Sequence, residues 1–236
     1  MIQQPNTRWS RVLVVASCLA FLFPGLGGGA DDVDLDQIIS RCGRALGGSQ
    51  GIQALRTLSF VRRNGDPKQD EYWEIRRPNL VRRTRPGRFI LVFDGERAAY
   101  LKGPLRKDGS LGGPQILPDE HWPHFEIDIA LYLPAFFDSP ARYRGRATVN
   151  GVDTHSLEVS LPLGGTVVYW VDSESYLPIK VAVPAWELEH FFDDWAQVGG
   201  FMVPRTCRDP SKPEEIVHLD EVKVNGALGL DRFVMP

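Results

Sequence analysis

From residue 58 onwards, much of the chain alternates apolar and polar side chains with a period of two, as β-strands with one buried face do. Asn64-Gly65, Asp94-Gly95 and Asn150-Gly151 separate alternating segments and are typical of tight hairpin turns. Helices do not occur between successive strands, so a parallel βαβ sheet is excluded. The pattern predicts about eleven strands in an antiparallel sheet that closes toward a barrel.

Two segments have helical spacing instead. Residues 34–46 carry apolar residues on one face and end at Gly47-Gly48, and residues 125–133 are mostly apolar and precede Pro134. We therefore predict an α+β fold in which helices lie on one side of the sheet. Residues 102–118 contain four Gly and three Pro without a hydrophobic period, so we expect a surface loop there, at the mouth of any cavity.

The first thirty residues have the pattern of a secretory signal peptide. Residues 1–11 are polar with two arginines, residues 12–23 are apolar except Ser17, and Gly28-Gly29-Ala30 supplies small residues before the predicted cleavage site. The apolar run is shorter than the roughly 20 residues that span a bilayer. We expect a signal peptide over residues 1–30, export to the periplasm, and a single domain over residues 31–236.

A lipid anchor is the alternative for this segment. Residues 15–18 resemble a lipobox that would end in a lipidated Cys18. Strong hydrophobicity continues past the cysteine, however, and the apolar run before it is short, so we favour cleavage after Ala30.

Charge and cysteine content exclude several classes of protein. The chain has 27 basic and 30 acidic residues, a net charge of -3 that argues against a nucleic-acid-binding protein. Three cysteines are too few for a disulfide scaffold. Cys42 and Cys207 remain after the predicted cleavage, and the exported compartment would allow a disulfide between them, although buried free thiols are the alternative.

The candidate chemical motifs do not form a catalytic site. Residues 47–51 match G-x-S-x-G, but they follow a predicted helix rather than the strand that a nucleophile elbow requires. His121 and His124 flank Pro123 in a loop-like region, which disfavours a metal site. His190 shares an apolar face and is interpreted as a core histidine. We predict a non-enzymatic protein without a metal or cofactor.

Eight arginines fall within residues 62–88 and could form one basic face on adjacent strands. Such a face would suit anionic lipid headgroups, or the side chains could simply be solvated and protect the outer strands. The arginines are Arg62, Arg63, Arg76, Arg77, Arg82, Arg83, Arg85 and Arg88.

Several short motifs resemble the LolA-like superfamily of outer-membrane lipoprotein carriers. They comprise Leu46-Gly47-Gly48 with residues 52–56, residues 168–172 with 177–179, residues 201–204, and residues 219–225. This resemblance implies a periplasmic half-barrel, lidded by helices, that encloses an apolar cavity for acyl chains. The expected partners are lipid or lipoprotein acyl chains and an envelope protein that accepts them. A cell-envelope binding or sensor module of the same fold, with a protein partner, is the alternative.

The alternating apolar residues and the second helix give a candidate set of cavity residues. A closed core would use the same alternation, so the resemblance and the lack of a catalytic constellation are what favour a cavity. The predicted lining is Phe60, Trp73, Ile75, Ile129, Leu133, Leu157, Val159, Ile179 and Val181.

Overall fold

A computed structural model of the chain describes residues 34–103, 112–212 and 214–234. The predicted signal peptide and Cys18 lie outside the described residues. Within them, no helix is long and apolar enough to cross a membrane.

In the part of the chain that the structure describes, thirteen strands form one open antiparallel sheet, which confirms the predicted fold class with two strands more than the expected eleven. Its order is β6-β5-β4-β3-β2-β1-β13-β12-β11-β10-β9-β8-β7. The strands are β1 Thr57–Arg63, β2 Glu71–Arg76, β3 Leu80–Arg85, β4 Phe89–Phe93, β5 Ala98–Lys102, β6 Gln115–Leu117, β7 Ala141–Val149, β8 Val152–Ser160, β9 Thr166–Asp172, β10 Pro178–Val183, β11 Leu188–Val198, β12 Phe201–Arg208 and β13 Ile216–Val224.

Three α-helices lie in the described part of the chain, α1 Leu35–Leu46, α2 Gly48–Ala54 and α3 Trp122–Tyr132. The Asp34 side chain caps α1 by accepting a hydrogen bond from the backbone N–H of Asp36. Helix α3 begins three residues before the predicted start, because Pro123 fits the first turn, where no intrahelical N–H is required. Short 3₁₀ turns cover Pro67–Gln69, Asp119–His121, Ala135–Phe137, Pro184–Trp186 and Leu230–Phe233.

The core forms where α3 packs on the face of the sheet that carries the alternating apolar residues. The Tyr132 ring lies 4.7 Å from Phe60 and 5.3 Å from Trp73, measured between ring centroids. The Tyr169 hydroxyl donates to the Ala130 carbonyl at 2.7 Å and accepts from the Ala135 N–H at 3.0 Å. These bonds fix the end of α3 and the turn after it, and burial raises the pKa of Tyr169.

Two expectations need correction. Residues 115–117 of the predicted loop form β6, an edge strand that pairs with β5 through backbone hydrogen bonds and therefore needs no apolar period. The possible disulfide is not formed, since Cys42 and Cys207 are both free and buried. The Cys207 sulfur instead lies 3.4 Å from Nδ1 of His190, while Cys42 belongs to the buried face of α1.

Candidate functional site

A cavity of about 650 Å³ lies between the sheet, α2, α3 and the Ala135–Phe137 turn. Its volume falls within the roughly 300 to 1,000 Å³ that is usual for sites that bind small molecules. Most of its wall is apolar. The apolar lining residues are Ile52, Leu55, Pro78, Ile129, Ala130, Leu133, Pro134, Ala135, Phe137, Leu161, Pro162, Leu163 and Phe201.

Charged side chains line the same cavity at its solvent side, where Arg56 and Asp138 are exposed. Arg77 donates a hydrogen bond to the Ile52 carbonyl at 3.0 Å and forms an ion pair with Asp138. The Arg56 side chain makes no ion pair with any residue that the structure describes. The cavity is therefore amphipathic, with an aliphatic interior and a positively charged group free at its edge.

Glu126 is the carboxylate that faces the interior of this cavity. Its Oε2 accepts a hydrogen bond from the Leu163 N–H at 2.8 Å, which joins α3 to the loop after β8. Burial raises the pKa of Glu126, and the hydrogen bond from Leu163 offsets part of that rise.

A second cavity of about 640 Å³ extends from this region along α1. Its lining includes Ile39 and Gly43 from α1, and it shares several residues with the first cavity. The shared residues are Ile52, Arg56, Arg77, Phe137 and Asp138. The Arg77–Asp138 pair thus belongs to the wall that the two cavities have in common.

The structure brings two of the nine predicted lining residues, Ile129 and Leu133, to the first cavity. Six others are at most 3% exposed and pack into the core beneath α3, where aromatic rings fill the space. These six are Phe60, Trp73, Ile75, Leu157, Val159 and Val181. Ile179 is half-buried at a β-bulge between β9 and β10, where it has no cross-strand partner on β9.

Sequence reasoning does not identify the part of the lining that comes from short elements. Ile52 belongs to α2, Leu55 ends that helix, Phe137 belongs to a 3₁₀ turn, and Leu161 and Leu163 lie in a loop. Their position depends on how these segments pack over the sheet end. Segments this short show no periodicity from which that packing could be predicted.

The eight arginines do not form a single basic face, because most are paired and they divide between the two faces of the sheet. Arg83 and Arg85 pair with Glu71, and Arg82 pairs with Glu74. Burial opposes ionisation of Glu71, but the neighbouring arginines outweigh it and lower the pKa of the carboxyl. These arginines therefore stabilise the fold.

The remaining motifs behave as structural elements. In the G-x-S-x-G sequence, Gly47 joins α1 to α2 and residues 48–51 begin α2, so a helix rather than a strand precedes the motif. Among the described residues, no group of three His, Cys, Asp or Glu side chains could hold a metal ion. His124 instead stacks on Trp186, with 4.0 Å between ring centroids.

His190 is buried beside Cys207, as expected of a core histidine. Burial lowers the pKa of His190 to about 4 and raises the pKa of the Cys207 thiol to about 12. A neutral imidazole and a thiol are therefore present near pH 7. A cysteine nucleophile needs a thiolate, so this pair is not poised for catalysis.

Comparison with known proteins gives matches in structure. No family model matches the sequence, and no curated protein matches it. A DUF1329 family protein from Desulfovibrio piger is 12% identical with a TM-score of 0.50, over 84% of this chain and 96% of that one. A LolA superfamily protein from Nitrosomonas europaea is 15% identical with a TM-score of 0.44, over 84% and 97%.

A third match is an outer membrane lipoprotein-sorting protein domain from Vibrio parahaemolyticus. It is 12% identical with a TM-score of 0.40, over 84% of this chain and 94% of that one. The likeness to the Desulfovibrio piger protein concerns the fold alone, which is an open antiparallel sheet with helices, as expected from the sequence.

Proposed function

We propose that the protein is an exported, non-enzymatic carrier that holds acyl chains of a lipid or lipoprotein in the 650 Å³ cavity. The observation that carries this proposal is the void itself, which lies between the helices and the sheet with Ile129 and Leu133 on its wall. Water hydrates acyl chains poorly, and burial stabilises them by about 0.8 kcal/mol per CH₂. A largely aliphatic cavity of this size supports such a ligand.

The polar side of the cavity supports a ligand with one hydrophilic end. Arg56 is exposed there and lies on the wall common to both cavities. An acyl chain in the interior would leave its headgroup near this guanidinium. Release to an envelope protein or membrane acceptor would then require the helices to move from the sheet.

The direct test is mass spectrometry of lipids extracted from the purified protein, followed by titration with a fluorescent fatty acid. Ala135→Phe would place a ring in the cavity while retaining the backbone N–H that bonds to Tyr169. We expect this variant to bind the probe at least about tenfold more weakly, which corresponds to roughly 1.4 kcal/mol. Ala227→Phe is the control, because Ala227 is exposed and lies outside the cavity.

If the wild-type protein carries no lipid and does not bind the probe, the carrier proposal is wrong. A protein-binding module of the same fold would then be the better hypothesis. If both Phe variants bind the probe normally, acyl chains bind elsewhere.

Export is tested separately by intact mass of the protein isolated from cell envelopes. A chain that begins at Asp31 supports cleavage after Ala30 and a single exported domain. A chain that begins at Cys18 with added lipid mass would instead support the anchored alternative.

A further inference from the structure

A small polar pocket lies at the other end of β1 from the apolar cavity. Arg56, just before β1, lines the apolar cavity, and Arg62, six residues later, lines the polar pocket, so about 20 Å of strand separates the two. The pocket has a volume of about 200 Å³. Its lining residues are Arg62, Asn64, Gln69, Glu71, Arg85, Cys207, Asp209, Lys212, Glu215 and Val217.

Arg62 is the unusual residue in this pocket. It stands directly opposite Glu71 in the pairing of β1 with β2. Glu71 is already engaged, since Arg83, Arg85 and the Trp73 indole N–H all donate to its carboxylate. Among the described residues, nothing accepts a hydrogen bond from the Arg62 guanidinium or pairs with it, and its Nε atom is buried.

The other charged groups of the pocket have partners among the described residues. Lys212 Nζ lies 3.7 Å from Glu215, and the Asp209 carboxylate accepts hydrogen bonds from the Ser211 N–H at 2.8 Å and hydroxyl at 2.7 Å. Arg62 is therefore the cation of the pocket that lacks an acceptor among the described residues. Burial opposes the charge on Arg62, but nearby groups that include Glu71 outweigh it and raise the pKa of Arg62. An oxyanion would therefore supply the hydrogen-bond acceptors that the guanidinium lacks.

We propose that this pocket binds an oxyanion, the phosphate or carboxylate group of a ligand, with Arg62 as its principal donor. The flat fork of N–H groups on a guanidinium matches two oxygens of such a group. Asn64 and Gln69 are exposed at the rim and add amide donors. The site is remote from the apolar cavity, so either proposal can fail without the other.

The test is thermal unfolding in inorganic phosphate against chloride at constant ionic strength. The melting temperature of the wild-type protein should rise with phosphate, because a ligand that binds only the folded state stabilises it by mass action. Arg62→Gln should weaken phosphate binding at least about tenfold. Arg63→Gln is the matched control, because Arg63 is adjacent on β1 but pairs with Asp70 and Glu221 outside the pocket.

Asp209→Asn should change the affinity for phosphate in the opposite direction to Arg62→Gln. Removal of a carboxylate that also lines the pocket should strengthen phosphate binding, since like charges repel. A wild-type protein that does not respond to phosphate, or an Arg62→Gln variant that responds fully, would overturn the proposal. If Arg62→Gln does not fold, ³¹P line broadening of phosphate by the wild-type protein decides the question, and its absence refutes the site.

A second ligand separates the two sources of such an oxyanion. Dihexanoyl phosphatidic acid that binds at least about tenfold more tightly than inorganic phosphate would identify a lipid headgroup as the natural ligand. Equal affinity would identify a free anion.

Discussion

Arg83 on β3 and Asp128 on α3 form an ion pair across the interior, with 3.0 Å between Nη1 and Oδ2. The guanidinium also lies 4.2 Å over the Trp73 ring and donates to Glu71. A single arginine thus joins the sheet to the middle of the helix that covers it. Both side chains are less than a quarter exposed, so the pair is only weakly screened by solvent.

We expect Asp128→Asn to destabilise the protein by about 2 kcal/mol, because Arg83 is then paired with Glu71 alone. Burial raises the pKa of Asp128, so the removal of its buried charge offsets part of the loss. Urea unfolding measures the change. The control is Asp193→Asn, which breaks an exposed pair with Arg208 and should cost less than about 1 kcal/mol. Equal effects of the two substitutions would contradict an anchoring role for Asp128.

Glu126, the carboxylate that accepts a hydrogen bond from Leu163 at the cavity, makes a contribution to stability that depends on pH. Burial raises the pKa of Glu126 above its ordinary 4.5, so the folded state favours its protonated form. This group therefore lowers stability as the pH rises from below 4.5 through the raised value. Glu126→Gln should melt at a higher temperature than the wild type at about pH 7 and at the same temperature near about pH 3. The exposed Glu120→Gln is the control and should show no such difference.

The fold follows from the sequence largely because one face of an antiparallel sheet must be buried. Alternation in segments such as residues 155–161 fixes which side chains face the helices, and the turn dipeptides fix where strands reverse. Strand β6 is not predicted from the sequence, since it is three residues long, exposed, and held by backbone hydrogen bonds to β5. The first residues of α3 are not predicted either, because a proline such as Pro123 occurs both in loops and in the first turn of a helix.

The candidate site is less predictable, because alternation identifies a buried face but not where packing leaves a void. Phe60 and Ile129 are both buried apolar residues, yet only Ile129 borders the cavity. The difference arises from Tyr132, whose ring fills the space over β1 and β2. The polar pocket cannot be predicted from the sequence either, since the sequence does not distinguish Arg62 from the neighbouring arginines that form ion pairs.

His190 should make stability fall in acid. Burial, followed by the nearby Arg62 charge, lowers the pKa of His190 to about 4 from 6.5. The unfolded chain then binds this proton at higher pH than the folded chain, so stability falls as the pH drops from 6.5 to about 4. The loss amounts to about 3 kcal/mol at about pH 4.

His190→Gln should therefore lose about 3 kcal/mol less than the wild type between about pH 7 and pH 4, measured by urea unfolding. His218→Gln is the control, because His218 is exposed on β13. If both variants keep the wild-type pH dependence, His190 is solvated and our description of its environment is wrong.

The two free thiols allow a simple chemical check. Cys42 and Cys207 are both buried, and burial raises both pKa values, so neither should react with Ellman's reagent in the folded protein. Both should react after unfolding in denaturant without a reductant. A reductant should leave the melting temperature unchanged, whereas a clear decrease would reveal a disulfide.

The last prediction concerns Gly47 and Gly48, where α1 ends and α2 begins. Gly47 has a φ of +143°, and a Cβ atom there would lie 2.5 Å from the Gly200 carbonyl oxygen. Gly48 has a φ of +81°, but a Cβ atom there would meet no neighbouring atom within 4 Å, so it provides a control with backbone strain and no clash. Left-handed strain alone costs roughly 1 to 2 kcal/mol.

We expect Gly47→Ala to destabilise the protein by at least about 1 kcal/mol more than Gly48→Ala, because the β11–β12 turn must also move away. Since α2 and its C-terminal cap supply Ile52 and Leu55 to the cavity, Gly47→Ala should also weaken fatty-acid binding, while Gly48→Ala should not. Equal stability of the two variants would mean that the helix pair is not seated against this turn. The close approach of Gly47 to Gly200 explains, by packing alone, why a glycine occupies the first position of the G-x-S-x-G sequence.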